Sequence, residues 1–526
     1  MNDYEIKKLY EDMEIYLIQS MKRNLGRHLT EENKVGFKFT QWQAEKLKEL
    51  KRYQRENKKI IGRYTLGLDK DVSEHLQNEL KQGSINAIKQ YNEVLGENLK
   101  PSKIMNKSFF KTNDKKVDAL IKVVNNDLKT ANTSALRMIN DQYRQIIHKS
   151  AFFVGNGVFT EKQAVDEATK NFLAAGLNCI EYSDGRRVNI ASYSQMAIRT
   201  ASLRSQLMGE GNFRASIGRT LVKVTTHGGA CPLCVKWQGQ VLIDDVYSGG
   251  TSKDGNYTLL SDAMKQGFLH PNCRHGITTY YPELEEDDEE VIEPVTTEQE
   301  IAQQALNNAI RNVKRYRRLR NGSLDKENIN KYAHKQAEWQ TQSTLLYDVV
   351  NNGFKQDIND IIRDTKMTVS KTLADRTKGV KITRILKDYN YIDVKENKIY
   401  LGVKADKYSL IHELGHKLFY SLTKDEKKIY NKIIKKKFQK YVKSDFIKKK
   451  TKTGTYWLLK DSSEFVSSYQ TRIYDDNFAF PFLFNKVNTD YALEYISEGL
   501  KYYYKDPNLL KNKDMDLYRF IDKVIK

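Results

Sequence analysis

Histidine and cysteine are scarce in this chain, nine and four among 526 residues. No apolar run comes near the roughly 18 residues of a membrane-spanning helix, so no membrane span is expected. Met1-Asn2-Asp3-Tyr4-Glu5 lacks the basic start and apolar centre of a secretory leader. Four cysteines, three of them between positions 231 and 273, are too few for a disulfide framework and point instead to a metal site in a reducing compartment. Acidic residues are outnumbered, 67 against 88 Lys and Arg, for a formal charge of +21. Such an excess suits non-specific contact with DNA and equally a lysine-rich solvated surface. Lys435-Lys436-Lys437 and Lys448-Lys449-Lys450 read as solvated faces. Length alone suggests about three domains.

Two of the rare histidines stand one helical turn apart. Tyr408-Ser409-Leu410-Ile411-His412-Glu413-Leu414-Gly415-His416 contains H-E-x-x-H. Residues four apart lie one above the other on a helix, so His412 and His416 can share a metal ion. Glu413 sits beside them, where a base takes a proton from water. Ser409 is the expected N-cap. Leu410, Leu414 and Leu418 form an apolar stripe that Ile411 and Phe419 widen. Residues 388–403 read as a hairpin turning at Glu396-Asn397 and leading into this helix.

A catalytic zinc takes three protein ligands and leaves one position open. Glu464, on an expected helix capped by Asp461 or Ser462, is the third-ligand candidate. Asp461 and Asp425 compete, but Asp425 belongs to Thr423-Lys424-Asp425-Glu426, a capping box. H-E-L-G-H followed by Ser462-Ser463-Glu464-Phe465 resembles the catalytic domain of anthrax lethal factor and its gluzincin relatives, over residues 388–526. The resemblance implies zinc-dependent hydrolysis of a protein or peptide substrate. His412, His416 and Glu464 would hold the metal and Glu413 would act as base. A tyrosine near the third ligand, Tyr456 or Tyr469, would stabilise the oxyanion.

The first 220 residues read as helical. Residues 40–64 and 116–150 carry long helix-favouring side chains, and Leu120, Ile121, Val124, Leu128, Ala135 and Ile139 recur at helical spacing. Thr160-Glu161-Lys162-Gln163 is a capping box, Gly176 a C-cap, and Asp184-Gly185 a hairpin turn. Residues 191–207 are helical again.

The next segment differs. Cys231-Pro232-Leu233-Cys234 places two thiolates on one tight turn, half of a tetrahedral zinc site. His270, Cys273 and His275 offer the other half. Cys231, Cys234 and Cys273 take three positions, and His270 or His275 the fourth. No base lies between these pairs, so this zinc is read as structural. Tyr193-Ser194-Gln195-Met196-Ala197-Ile198-Arg199-Thr200, His227 with Cys231-Pro232, Trp237-Gln238-Gly239, and Asn272-Cys273-Arg274-His275 with Tyr280-Tyr281-Pro282 follow in order. Over residues 114–282, and by extension the whole N-terminal half, the chain resembles the phage minor capsid protein 2 group, related to Mu-type head morphogenesis proteins. That resemblance implies a virion component near the portal, with portal and capsid proteins as partners, present also in the host bacterial cytoplasm. The zinc is argued from the cysteines and histidines rather than from the resemblance.

Glu283-Leu284-Glu285-Glu286-Asp287-Asp288-Glu289-Glu290 repels itself and reads as a linker. The expected organisation is multidomain and mainly α. A helical region over 1–220 is followed by a zinc-stapled α+β module over 221–282, a linker over 283–295 and a helical spacer over 296–365. An α+β zincin-like domain occupies 366–526. The expected function is a minor capsid protein with a fused zinc peptidase. The alternatives are a virion-delivered toxin acting through the peptidase, and a purely structural protein whose C-terminal domain is inactive.

Overall fold

The computed structural model describes residues 1–35, 39–100, 111–155, 159–227, 230–284, 297–451, 454–474 and 493–526. The expected linker lies outside them beyond Leu284. The chain is mainly helical and divides into two compact units, residues 1–297 with 310–340, and residues 298–309 with 341–526. The stretch expected as a spacer, 296–365, is thus shared between the two units. Among the described residues no helix is long and apolar enough to cross a membrane.

The first unit is built on α1 (Asp3–Val35), α2 (Phe39–Tyr64), α3 (Leu68–Leu95), α4 (Lys111–Gly155), α5 (Glu161–Ala175) and α6 (Ile190–Ser216). In α4, Val117, Ile121, Val124, Leu128, Ala131, Ala135, Ile139, Tyr143 and Ile146 are buried at steps of three and four, the single stripe of a 3.6-residue helix. Ile6, Tyr10, Met13, Leu17, Met21 and Leu25 repeat the pattern in α1. Each large apolar side chain buried this way contributes roughly 1.5–3 kcal/mol, so tertiary packing rather than intrinsic propensity holds these helices. The capping box of Thr160 with Gln163 opens α5, and Gly176, at φ 81°, ends it. Gly185, at φ 79°, turns the hairpin of β1 (Ile180–Glu181) and β2 (Arg187–Val188). Helices α3 and α6 cross with their backbones in contact. A Cβ on Gly83 would stand 2.1 Å from the Gln206 carbonyl oxygen, and one on Gly209 would stand 1.9 Å from that of Leu80.

A small sheet follows, with strands β3 (Leu221–Val224), β4 (Val241–Ile243), β5 (Thr258–Leu259) and β6 (Ile277–Thr279) in the order β5-β4-β3-β6. The short helix α7 (Leu260–Lys265) lies between β5 and β6 in sequence. Strands β3 and β6 are antiparallel with Val224 opposite Ile277. The chain leaving β3 and the chain entering β6 therefore meet at one end of the sheet.

Helices α8 (Thr297–Gly322) and α9 (Lys326–Asn352) contribute to both units. The second unit continues with α10 (Ile358–Thr368), α11 (Lys371–Arg376), β7 (Lys381–Arg384), β8 (Tyr391–Asp393) and β9 (Lys398–Leu401). Strand β9 lies between β7, parallel to it, and β8, antiparallel to it, and the β8–β9 turn holds Asn397 at φ 52°. Next come α12 (Lys407–Ser421) and α13 (Lys424–Phe438), then the antiparallel β10 (Phe446–Thr451), β11 (Gly454–Leu459) and β12 (Ile473–Tyr474). Helices α14 (Leu493–Lys505), α15 (Pro507–Lys513) and α16 (Met515–Ile525) close the chain.

Helix α12 is buried on two sides. Leu410 and Leu414 pack with Ile399 and Leu401 of β9 and Ile361 of α10, while Ile411, Leu418 and Phe419 join a core with Tyr495, Ile496 and Leu500 of α14. Its cap is not Ser409 but Asp406, one turn earlier. The Asp406 carboxylate accepts from the Ser409 N–H at 2.9 Å, and the Ser409 hydroxyl accepts from the Asp406 N–H at 3.2 Å. Ser409 is thus the third residue of a capping box.

Candidate metal centres

In the first unit, the pairing of β3 with β6 brings the two halves of the Cys/His motif together. Cys231, Cys234 and His270 offer donor atoms within 4.8 Å of one another, and so do Cys234, Cys273 and His275. Cys231 Sγ lies 3.1 Å from His270 Nε2, Cys234 Sγ lies 3.6 Å from Cys273 Sγ, and Cys273 Sγ lies 3.5 Å from His275 Nδ1. Each histidine has an oxygen on its other nitrogen. His270 Nδ1 is 2.8 Å from the Pro271 carbonyl, and His275 Nε2 is 3.2 Å from Gln238 Oε1. Such a partner holds the ring proton and leaves the opposite nitrogen free for a metal. Both histidines therefore meet the requirement, and the five donors fall in two overlapping triads that share Cys234.

The electrostatics reflect crowded thiols. Burial alone would raise Cys231, but His270 and the N–H groups of Cys234 and Leu233 outweigh it and bring the thiol down to about 7. Burial and the neighbouring thiols of Cys273 and Cys231 push Cys234 up to about 12. A divalent cation removes that conflict by binding several thiolates at once. The connecting turn is strained to reach this geometry, with Leu269 at φ 52° and Asn272 at φ 67°. Gln238 also accepts from the His227 N–H at 2.8 Å, and the His227 ring lies 4.1 Å from that of His275. His227 and Gln238, singled out in sequence only as motif positions, are thus the shell behind the cluster.

In the second unit, α12 carries His412, Glu413 and His416, all buried. The acid that joins them is Glu494 of α14, not Glu464. Donor atoms of His412, His416 and Glu494 lie within 4.8 Å of one another. Glu494 Oε2 is 3.1 Å from His412 Nε2 and 3.6 Å from His416 Nε2, and it is buried without a hydrogen bond of good geometry. A buried carboxylate oxygen facing two imidazole nitrogens matches the donor set of a three-ligand zinc site. Glu464 is elsewhere. Its side chain is 52% exposed against 5% for Glu494, and it pairs with Lys440 and accepts from the Tyr441 hydroxyl at 3.3 Å. The helix expected to carry it does not form: residues 463–466 are turn and bend, with the Asp461 carboxylate accepting from the Ser463 N–H at 2.9 Å. Asp425 lies in the first turn of α13, where the capping pair is Thr423 with Glu426.

Glu498, one turn after Glu494, places Oε1 2.8 Å from His412 Nδ1. It is itself held by the Ser467 hydroxyl at 2.5 Å and Lys501 Nζ at 2.9 Å. This carboxylate stands behind the ring as an ion-pair partner, without hydrogen-bond geometry at Nδ1, while Nε2 faces Glu494. The Tyr474 hydroxyl donates to the second oxygen of Glu494 at 3.0 Å. Tyr469 sets its ring edge-on to His412, 5.6 Å between centres. Tyr456 instead packs against Tyr474, 6.0 Å away. Of the two tyrosine candidates, the structure brings Tyr469 to the histidines.

Burial disfavours charge here and the carboxylates oppose it. Burial alone would lower His412, but Glu494 and Glu498 outweigh it and raise the imidazole to about 10. His416 has less carboxylate contact, and burial takes it down to about 4. Burial also raises Glu413, to about 7, against the pull of His412. Glu498, despite burial, is held down at about 2, chiefly by His412.

Glu494, Glu498 and Tyr474 were not found by sequence reasoning. The available signal was Glu494-Tyr495-Ile496-Ser497-Glu498, two acids one turn apart like the two histidines.

The family model described as phage minor capsid protein 2 matches residues 3–372. The match extends well beyond 114–282, through the acidic segment and the 296–365 helices, and ends before β7. The His412 cluster lies outside it and the Cys231 cluster inside it. No curated protein and no solved structure matches the chain.

Proposed function

This chain belongs to the phage minor capsid protein 2 family, and from that membership we propose a virion component of head assembly, working among portal and capsid proteins, that carries a zinc-dependent peptidase after residue 372. The assembly half rests on the family match. The peptidase half rests on the convergence of His412, His416 and Glu494 around one point with Glu413 beside them.

His412, His416 and Glu494 would hold a zinc ion, which would supply Lewis acidity towards water and a carbonyl. The chain's own groups do the rest. Glu498, 2.8 Å from His412 Nδ1, would take the Nδ1 proton and leave Nε2 as the donor atom. Tyr474 fixes the direction of the Glu494 carboxylate. Glu413 takes a proton from attacking water and returns it to the leaving amine. Tyr469, beside His412, hydrogen-bonds the developing oxyanion. At the other cluster, Cys231, Cys234, Cys273 and one of the two histidines would hold a structural zinc, which would tie two loops of a small sheet.

Metal analysis and peptide hydrolysis on the full-length chain test this reading. The wild type is expected to hold two zinc ions and cleave peptides. Glu413→Gln should keep both ions and lose about a hundredfold or more in rate, the size of a missing general base. Zinc-loaded protein that cleaves nothing in a broad peptide library would overturn the peptidase half.

A further inference from the structure

Among the described residues, one cation beside the His412 cluster has no acid to answer it. Arg472 follows the 3-10 turn Ser468–Thr471 and precedes β12. Its guanidinium lies over two aromatic rings, 3.5 Å from the centre of Tyr469 and 4.6 Å from that of Tyr456. Tyr469 is the ring set edge-on to His412, so Arg472 is one aromatic side chain removed from an imidazole of the cluster. The Tyr474 hydroxyl stands against the guanidinium, its Nε–H is buried without a hydrogen bond, and among the described residues no carboxylate forms an ion pair with it. The acids close by are already engaged. Glu494 faces His412 and His416 and accepts from Tyr474, and Glu498 is held by His412, Ser467 and Lys501.

Stacking satisfies the faces of a guanidinium and leaves its edge donors in the plane. Those donors form a fork that matches a carboxylate in a two-pronged pair. A partly buried cation without a counter-charge is unfavourable, and the cost is recovered when a ligand brings the charge.

The geometry points to Arg472 as a carboxylate clamp beside the His412 site: a peptide that reaches that site presents an anionic group, an acidic side chain or a free C-terminus, to its guanidinium fork. This rests on the peptidase reading and adds a substrate class to it. Peptides with a carboxylate near the reacting bond are bound in one register, and their neutral counterparts are not.

The test uses the full-length chain with Glu413→Gln, to prevent turnover, and three fluorescent peptides of equal length. One has a central Glu and an amidated end, one has Gln in its place, and one has that Gln with a free C-terminus. Binding is followed by anisotropy. At least one carboxylate peptide is expected to bind about tenfold more tightly than the neutral one, the scale of a charge-assisted pair. Which one does so identifies the source of the carboxylate. Adding Arg472→Gln should bring the three affinities within about twofold with zinc content unchanged. Arg472→Lys keeps the charge but not the fork and should lower the preference several-fold. Equal binding of all three peptides, or none, overturns the clamp, as does a preference that survives Arg472→Gln intact. Parallel cleavage by wild type separates the two readings. Cleavage indifferent to carboxylates removes the clamp and leaves the peptidase, whereas carboxylate-dependent binding without cleavage removes the peptidase and leaves the clamp.

Discussion

Gly415 of α12 lies so close to Ser497 of α14 that a Cβ on the glycine would stand 2.6 Å from Ser497 Cα. No side chain fits between the helices there. His412 and His416 are three residues before and one after Gly415, and Glu494 and Glu498 are three before and one after Ser497. The crossing point therefore carries matched pairs, two imidazoles facing two carboxylates, each pair one turn apart.

Glu494→Ala is expected to empty the His412 site, and Glu464→Ala to leave it filled. Zinc per chain after dialysis, by mass spectrometry, reads both. Glu498→Gln should weaken the metal roughly 10–100-fold, the usual effect of removing a carboxylate behind a ligating histidine. Metal loss in Glu464→Ala with retention in Glu494→Ala would reverse the assignment.

Cys231→Ser should remove one zinc of two and unfold the small sheet, because metal binding there is coupled to folding. Limited proteolysis would then cut within residues 221–284, while cleavage of peptides at the other site continues. A mutant that resists protease as the wild type does would show that the cluster holds nothing together.

Helix α3 offers a test of packing. Gly209→Ala on its partner α6 gains about 1 kcal/mol of helix propensity. Its new methyl would lie 1.9 Å from the Leu80 carbonyl oxygen, and overpacking typically costs about 1–3 kcal/mol or more. The clash should win and lower the melting temperature. Gly62→Ala in α2 meets nothing within 4 Å and should raise it slightly. A melting temperature raised by both would show that α3 and α6 separate easily.

Glu426 gives a pH dependence. The Arg376 guanidinium grips its carboxylate at 2.6 and 3.1 Å, and Thr423 caps it, which holds it down at about 2. A carboxyl depressed by folding stabilises above its unfolded value and loses that contribution as pH falls towards the folded value. Discounted for solvent screening, the pair contributes about 1 kcal/mol at neutral pH. Glu426→Gln should therefore melt below wild type at pH 7, and the gap should close between about pH 4.5 and pH 2. A gap that persists at pH 2 would deny the ion pair its role.

The features legible in sequence were those whose cause is local. The box of Thr160 with Gln163, the box of Thr423 with Glu426, the Asp184-Gly185 turn and the H-E-x-x-H helix each follow from a few adjacent residues. The cap of α12 was misplaced by one turn because Asp406 and Ser409 are both capping residue types and only their mutual hydrogen bonds assign the roles. The third acid was misassigned for a different reason. Glu464 and Glu494 are both downstream acids beside apolar residues, and the choice depends on which segment packs on α12. That contact is long-range, set by Gly415 and Ser497. His270 and His275 stay equivalent even in the structure, since each has a carbonyl or amide oxygen behind it.

The register of β3 with β6 has a consequence for the order of events during synthesis. Cys231 and His270, like Cys234 and Cys273, are separated by 39 positions, and the strand that brings them together is the last of its sheet to be translated. At roughly 5–20 residues per second, the first two thiols leave the ribosome seconds ahead of their partners. With zinc bound there as proposed, an ion captured early would rest on a half-built site, exchangeable until Ile277 finds Val224, and metal retention by the Cys231 cluster would mark the moment the sheet closes.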